Sequence, residues 1–183
     1  MFIDITENTK KTYKITSPGK YIFYFKNKTC NITFDIACEN ANVKIYGLYK
    51  CTNSDEITLN ITQKHSAPNS KSDILIKSIL QDKSTFNFTG LINISKNAIN
   101  STAHLTNKNL LLSDTAQIIT SPQLEVASSN VNCKHSAQTT PLDIEQLNYL
   151  ITRGISKSDA EQLLVNGFIN KIKSIKNRIS NIL

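Results

Sequence analysis

From Thr12 to about Val131, apolar side chains recur at alternate positions. Ile32, Phe34 and Ile36 alternate with polar residues, as do Val43 and Ile45, then Ile57, Leu59 and Ile61. The same spacing continues at Ile74 and Ile76, Phe86 and Phe88, and Ile92 and Ile94. Period two sends one set of side chains to a buried face and the other to water, and the branched and aromatic residues at these positions suit strands. Tyr21-Ile22-Phe23-Tyr24-Phe25 is a short run that is apolar throughout. The breaks fall at turn formers: Ser17-Pro18-Gly19, Glu39-Asn40-Ala41-Asn42, Asn53-Ser54-Asp55, Ala67-Pro68-Asn69-Ser70 and Asp82-Lys83-Ser84. No helical period intrudes, so the pattern predicts an all-β body. Strands that follow one another without helical crossovers suit a sandwich or a solenoid, and the period alone leaves both open.

After Pro141 the spacing changes. Ile144, Leu147, Leu150 and Ile151 lie on one face of a short amphipathic helix. Thr140-Pro141-Leu142-Asp143 predicts its capped start, with proline at the first helical position, and Gly154 its C′ terminator. Ser156-Lys157-Ser158-Asp159 is a second capping box, and Ala160, Leu163 and Leu164 give the next helix its buried face. A last segment sets Phe168, Ile172, Ile175, Ile179 and Ile182 against Lys171, Lys173, Lys176 and Arg178. Three short helices are predicted, the last packed on the β body by its isoleucines rather than lying on a membrane. The expected division is a β core at 1–140 and a helical unit at 141–183.

Composition changes this picture little. The chain has 183 residues, a net charge of +7 and 39% hydrophobic residues, enough for one domain with a real core. The lysines are scattered rather than gathered into a stripe, so neither nucleic acid nor membrane is an expected partner. Cys30, Cys38, Cys51 and Cys133 form no CxxC pair, and Met1-Phe2-Ile3-Asp4-Ile5 is not a secretory signal. Free thiols in a reducing, cytoplasmic compartment are expected.

Cys133 and His135 carry the chemistry of most interest. Two residues apart on a strand, they project to the same side, and thiolate with neutral imidazole can ligate iron or another soft metal. A packed cysteine beside a surface histidine is the plainer reading, and the residues alone favour it. No further ligand lies nearby in the chain, so a second subunit has to complete any metal site. His65 reads as a surface histidine at a strand end, and His104 as a residue on the wet face of a strand. Cys30, Cys38 and Cys51 read as core filling. Ser113, Asp114 and His135 lack a nucleophile elbow, the 14 acidic residues are dispersed, and no Gly-rich phosphate loop is present. The expectation is therefore not an enzyme in its own right.

From His65 onward the chain resembles the SufB/SufD family, the non-ATPase subunits of the SUF iron–sulfur cluster assembly machine. His65 with Pro68, Ser70 and Ser72 is similar to the family's His-x-x-Pro-x-x-x-Ser entry motif. Asp82-Lys83-Ser84 and Phe88-Thr89-Gly90-Leu91-Ile92 resemble its Asp-x-Ser and Phe-x-Gly-x-Ile strand pair. Leu110-Leu111-Leu112-Ser113, with Thr120, Pro122, Leu124 and Glu125, resembles Leu-Leu-Leu-Ser followed by Thr-x-Pro-x-Leu-Glu. Cys133-Lys134-His135-Ser136-Ala137 is similar to Cys-Ser-His-Gly-Ala. Tyr149-Leu150, Arg153-Gly154-Ile155, Ala160 and Gly167-Phe168 resemble the helical tail.

The resemblance implies a right-handed parallel β-helix followed by a small C-terminal helical domain. It implies pairing of SufB- and SufD-type subunits through their β-helices, with a SufC-type ABC ATPase docked on the tail at Tyr149, Arg153, Gly154, Ile155, Gly167 and Phe168. A transient iron–sulfur cluster is expected at the subunit interface, with His135 as candidate ligand, Cys133 as its neighbour, and no stable cluster on this chain alone. Ala116 stands where SufB carries its sulfur-accepting cysteine, and Ser136 where SufB has a glutamate, so the SufD role is favoured. The resemblance also allows a homodimer in isolation. Family members are longer, with an N-terminal helical region, so the chain resembles a reduced SufD whose solenoid needs its own N-terminal cap. Two rival readings remain: a purely structural subunit without iron contact, and a β-solenoid that binds carbohydrate.

Overall fold

The computed structural model describes residues 1–180, without the side chains at 176 and 178–180. Eleven strands precede two helices: β1 (Phe2–Asp4), β2 (Thr12–Ile15), β3 (Gly19–Lys26), β4 (Cys30–Ile36), β5 (Ala41–Cys51), β6 (Glu56–His65), β7 (Lys71–Leu80), β8 (Thr85–Ile94), β9 (Thr102–Leu111), β10 (Gln117–Val126), β11 (Asn132–Pro141), α1 (Ile144–Thr152) and α2 (Lys157–Ser180). Odd-numbered strands form one sheet, in the order β1-β3-β5-β7-β9-β11, and even-numbered strands the other, β10-β8-β6-β4-β2. Every pairing is parallel. Consecutive strands alternate between the sheets, which makes a β-solenoid rather than a sandwich. Asn42 pairs with Lys71, Lys71 with Thr102 and Thr102 with Asn132, a coil of about 30 residues.

This stacking explains the alternation. Inward residues of successive coils form columns, such as Phe23–Ile45–Ile74–Leu105 and Ile32–Ile61–Gly90. Each fully buried Phe, Leu or Ile in them contributes about 1.5–3 kcal/mol by leaving water. The corners need a left-handed backbone, which Asn and Asp tolerate better than other non-glycine residues. Asn27, Asn40, Asn53, Asn69, Asp82 and Asn100 all have φ between 47° and 61°. The Asn- and Asp-rich breaks in the sequence are these corners. Near the N-terminus, Ile5 is fully buried in the core, and the Lys28 ammonium donates to the Ile5, Thr6 and Asn8 carbonyls, tying that segment to the corner between β3 and β4.

Helix α2 covers the outer face of the odd-numbered sheet. Ile169 and Ile172 are buried against Tyr24, Tyr46, Leu48, Leu75 and Ile79, with Val165, Phe168 and Ile175 alongside, while Lys171 and Lys173 face water. The expected isoleucine packing is therefore present, although Ile179 and Ile182 lie outside the described side chains. It also accounts for the uniformly apolar run at Tyr21–Phe25, since that strand is covered on both sides. Lys77 pins the helix by donating to the Phe168 carbonyl and lying 4.8 Å over its ring.

Three helices were expected, and two are present among the described residues. The second and third are one helix of 24 residues that runs through Gly167. A glycine inside a helix costs only about 1 kcal/mol relative to alanine, less than the packing of α2 supplies. The start of α1 also differs: Pro141 ends β11, and the N-cap is Asp143, whose carboxylate accepts from Gln146 N–H at 3.0 Å. Ser156 caps α2 by accepting from Asp159 N–H at 3.2 Å, and Gly154, at φ 87°, ends α1, both as expected.

Candidate functional site

β11 and β10 are the last strands of their sheets, each paired on one side only. The inward columns therefore end there in the open. Phe23–Ile45–Ile74–Leu105 ends in His135, Tyr21–Val43–Ser72–Ala103 in Cys133, and Ile32–Ile61–Gly90 in Pro122. Leu105 is buried, whereas His135, one coil on, is exposed. The lumen of the solenoid opens at this point, with Leu124 and Val126 exposed on the opposite wall and Ile119 exposed on the outer face.

A contact beneath the mouth sets its geometry. A Cβ built on Gly90 would lie 2.6 Å from Leu105 Cδ1, so these residues face each other across the lumen. One coil further, Pro122 succeeds Gly90 and His135 succeeds Leu105, which puts the imidazole opposite the proline. Cys133 is half-buried against the core. Burial pushes its thiol pKa up, partly offset by a hydrogen bond from the Ala103 backbone, which favours the protonated thiol. No group of three or more potential metal ligands occurs among the described residues. Cys133 and His135 thus share one wall of the mouth without forming a complete metal site.

The predicted docking residues gather at the helices. Tyr149 is exposed on α1, and the Arg153 guanidinium lies 5.1 Å from its ring centroid. Tyr149 borders a shallow apolar groove with Leu150, Leu163 and Leu164. Leu163 and Leu164 also line a cleft of about 970 Å³ with Leu110, Ile144, Gly167 and Phe168. Gly154 lies at the bend between the helices, followed by half-buried Ile155. Phe168 is half-buried against the solenoid and contacts Lys77, so part of its role is internal packing.

Several single-residue expectations need correction. His65, expected at the surface, is fully buried. Ser72 donates to Gln63 Oε1 at 2.7 Å, so its oxygen accepts from His65 Nε2–H at 2.6 Å, and Nδ1 accepts from Ser70 Oγ at 2.6 Å. Burial pushes this imidazole down to about 4. The alternation Leu59, Ile61, Gln63, His65 already pointed inward. His104 does lie on an outer face but is half-buried, with Nε2 unpartnered among the described residues. Cys51 fills core, with its thiol pushed up to about 11, and Cys30 packs against the core. Cys38 does not; it sits half-exposed after β4. All four cysteines are free thiols. Ala116 is buried in the turn before β10. Asn107 was not singled out in the sequence, although its inward strand position was the available signal, and Thr120 entered only as part of the Thr-x-Pro motif.

The profile for the SufBD core domain of SUF-system iron–sulfur cluster assembly matches residues 23–168, most of the chain. The chain belongs to the SufB/SufD family. It is 33% identical to the iron–sulfur cluster assembly protein SufD of Escherichia coli K12 over 138 residues, which is 75% of this chain and 33% of that protein. It is 30% identical to the SufB of Bacillus subtilis over 105 residues, 57% of this chain and 23% of that protein. A SufBD family protein of Porphyra purpurea is 26% identical over 137 residues, 75% of this chain and 28% of that protein. The chain thus spans a third or less of these SufB/SufD relatives. No helix among the described residues is long and apolar enough to cross a membrane.

Proposed function

We propose that the chain is a SufD-like, non-catalytic subunit of a cytoplasmic scaffold on which iron–sulfur clusters are assembled. The observation that carries this reading is the column Phe23–Ile45–Ile74–Leu105, which ends in exposed His135 on an edge strand paired on one side only. An imidazole and a thiol on one wall are half of a soft-metal site, and a SufB-like subunit applied to the open edges of β10 and β11 supplies the rest. The cluster is cargo, held transiently at the seam. Ala116 and Ser136, and the longer match to SufD than to SufB, favour the SufD role. The exposed groove at Tyr149, Leu163 and Leu164, with Arg153 at its edge, receives a SufC-like ATPase whose motion strains the seam.

Anaerobic co-expression with SufB- and SufC-like proteins, followed by size exclusion and iron and sulfide analysis, tests this. His135→Ala is expected to leave the complex assembled and to lower its iron content several-fold. Unchanged iron content removes the ligand role and leaves a purely structural subunit.

A further inference from the structure

Two polar side-chain atoms beside the mouth are buried without a hydrogen-bond partner among the described residues: Asn107 Nδ2 and Thr120 Oγ1. Asn107 is fully buried on β9 in the column Phe25–Gly47–Ile76–Asn107–Ala137. Its place in the preceding coils is taken by apolar residues or glycine, and the amide occurs only in the layer beneath the mouth. It is also held in one orientation. Ser78 Oγ donates to Asn109 Oδ1 at 2.6 Å, and Asn109 Nδ2 donates to Asn107 Oδ1 at 2.8 Å. That chain takes up Oδ1 and leaves Nδ2 as the atom without a partner; Leu105, the next inward residue of the same strand, is paired one coil on with His135.

Thr120 completes the arrangement. The Gly90–Leu105 contact places Pro122 opposite His135. Facing strands run in opposite directions, so Thr120, two residues before Pro122, lies opposite Ala137, two after His135. The small Ala137 side chain is paired in register with Asn107. An orphaned buried donor is costly, and it calls for a partner that the described residues do not supply. An amide N–H₂ has no lone pair for a cation, and the amide oxygen is already taken by Asn109, so the missing partner is an acceptor. Beside a soft-metal ligand, the acceptor of matching chemistry is anionic sulfur.

We infer that Asn107 Nδ2 and Thr120 Oγ1 are hydrogen-bond donors to the sulfide of the species that His135 ligates, holding it in the mouth and stabilising its charge. The inference rests on the cluster-assembly reading above. Hydrogen bonds to sulfur are one of the terms that set the potential of an iron–sulfur centre, which gives a readout that packing alone does not move.

The test uses the complex with SufB- and SufC-like subunits, loaded anaerobically with ferrous iron and sulfide. Asn107→Leu replaces the amide with the kind of side chain found one coil below, and Thr120→Val removes the hydroxyl at constant shape. Both variants are expected to lose less iron than His135→Ala does and to keep a thermal midpoint no lower than the parent's. Both are expected to shift the reduction potential to more negative values and to move the visible sulfur-to-iron absorption. A potential and spectrum identical to the parent in both variants, with iron lost in His135→Ala, overturns the donor assignment alone. Full iron retention in His135→Ala overturns the site itself, and the donor assignment with it.

Discussion

His65 Nε2 lies 2.6 Å from Ser72 Oγ, and Ser72 donates onward to Gln63 Oε1, which fixes the buried ring as the neutral tautomer carrying its proton on Nε2. Protonation of Nδ1 forces Ser70 to turn its hydroxyl away, toward the Ala67 carbonyl 3.0 Å off, and it places a charge in a fully buried site.

Stability is therefore expected to fall in acid. The imidazole titrates at about 4 when folded, against an ordinary value of 6.5. Between those values the unfolded chain binds the extra proton, so the contribution is intact above 6.5 and is lost as pH falls toward 4. The loss is about 3 kcal/mol. Denaturant titrations at pH 7 and pH 4.5 measure it, and His65→Gln should be less stable at pH 7 but flatter across the interval. An equally steep pH dependence in that variant assigns the effect to other groups.

Two glycines should respond in opposite directions to alanine. A Cβ at Gly90 would sit 2.6 Å from Leu105 Cδ1 and 2.9 Å from the Phe88 ring. Gly90→Ala is expected to cost about 1–3 kcal/mol through overpacking and to displace the column beneath His135. A Cβ at Gly167 meets nothing within 4 Å, and Gly167→Ala is expected to stabilise α2 by up to about 1 kcal/mol. Thermal unfolding of the two variants checks both signs.

Charge reversal at Arg153 should separate docking from folding. The guanidinium is exposed and rests on the Tyr149 ring, a contact worth about 0.5–1 kcal/mol at the surface. Arg153→Glu is expected to abolish pull-down of a SufC-like ATPase with little change in the thermal midpoint. Normal pull-down by this variant moves the docking surface elsewhere.

The apolar alternation from Ile32 to Ile94 determined which strand faces are buried, because side-chain direction follows from local backbone geometry. The Asn-, Asp- and Gly-bearing breaks located the corners, and Ser156, Asp159 and Gly154 marked helix ends, since turns and caps are also local. The motifs around Leu110–Glu125 and Cys133–Ala137 carried the family. Only the tertiary structure decided what stacks on what, since a column such as Leu105 on His135 joins residues a full coil apart and depends on register. For that reason the burial of His65, the opening of the lumen at His135 and the orphaned amide of Asn107 emerged only when the coils were assembled. The continuity of α2 through Gly167 was likewise decided by packing against the odd-numbered sheet, which outweighs a single residue's helix preference.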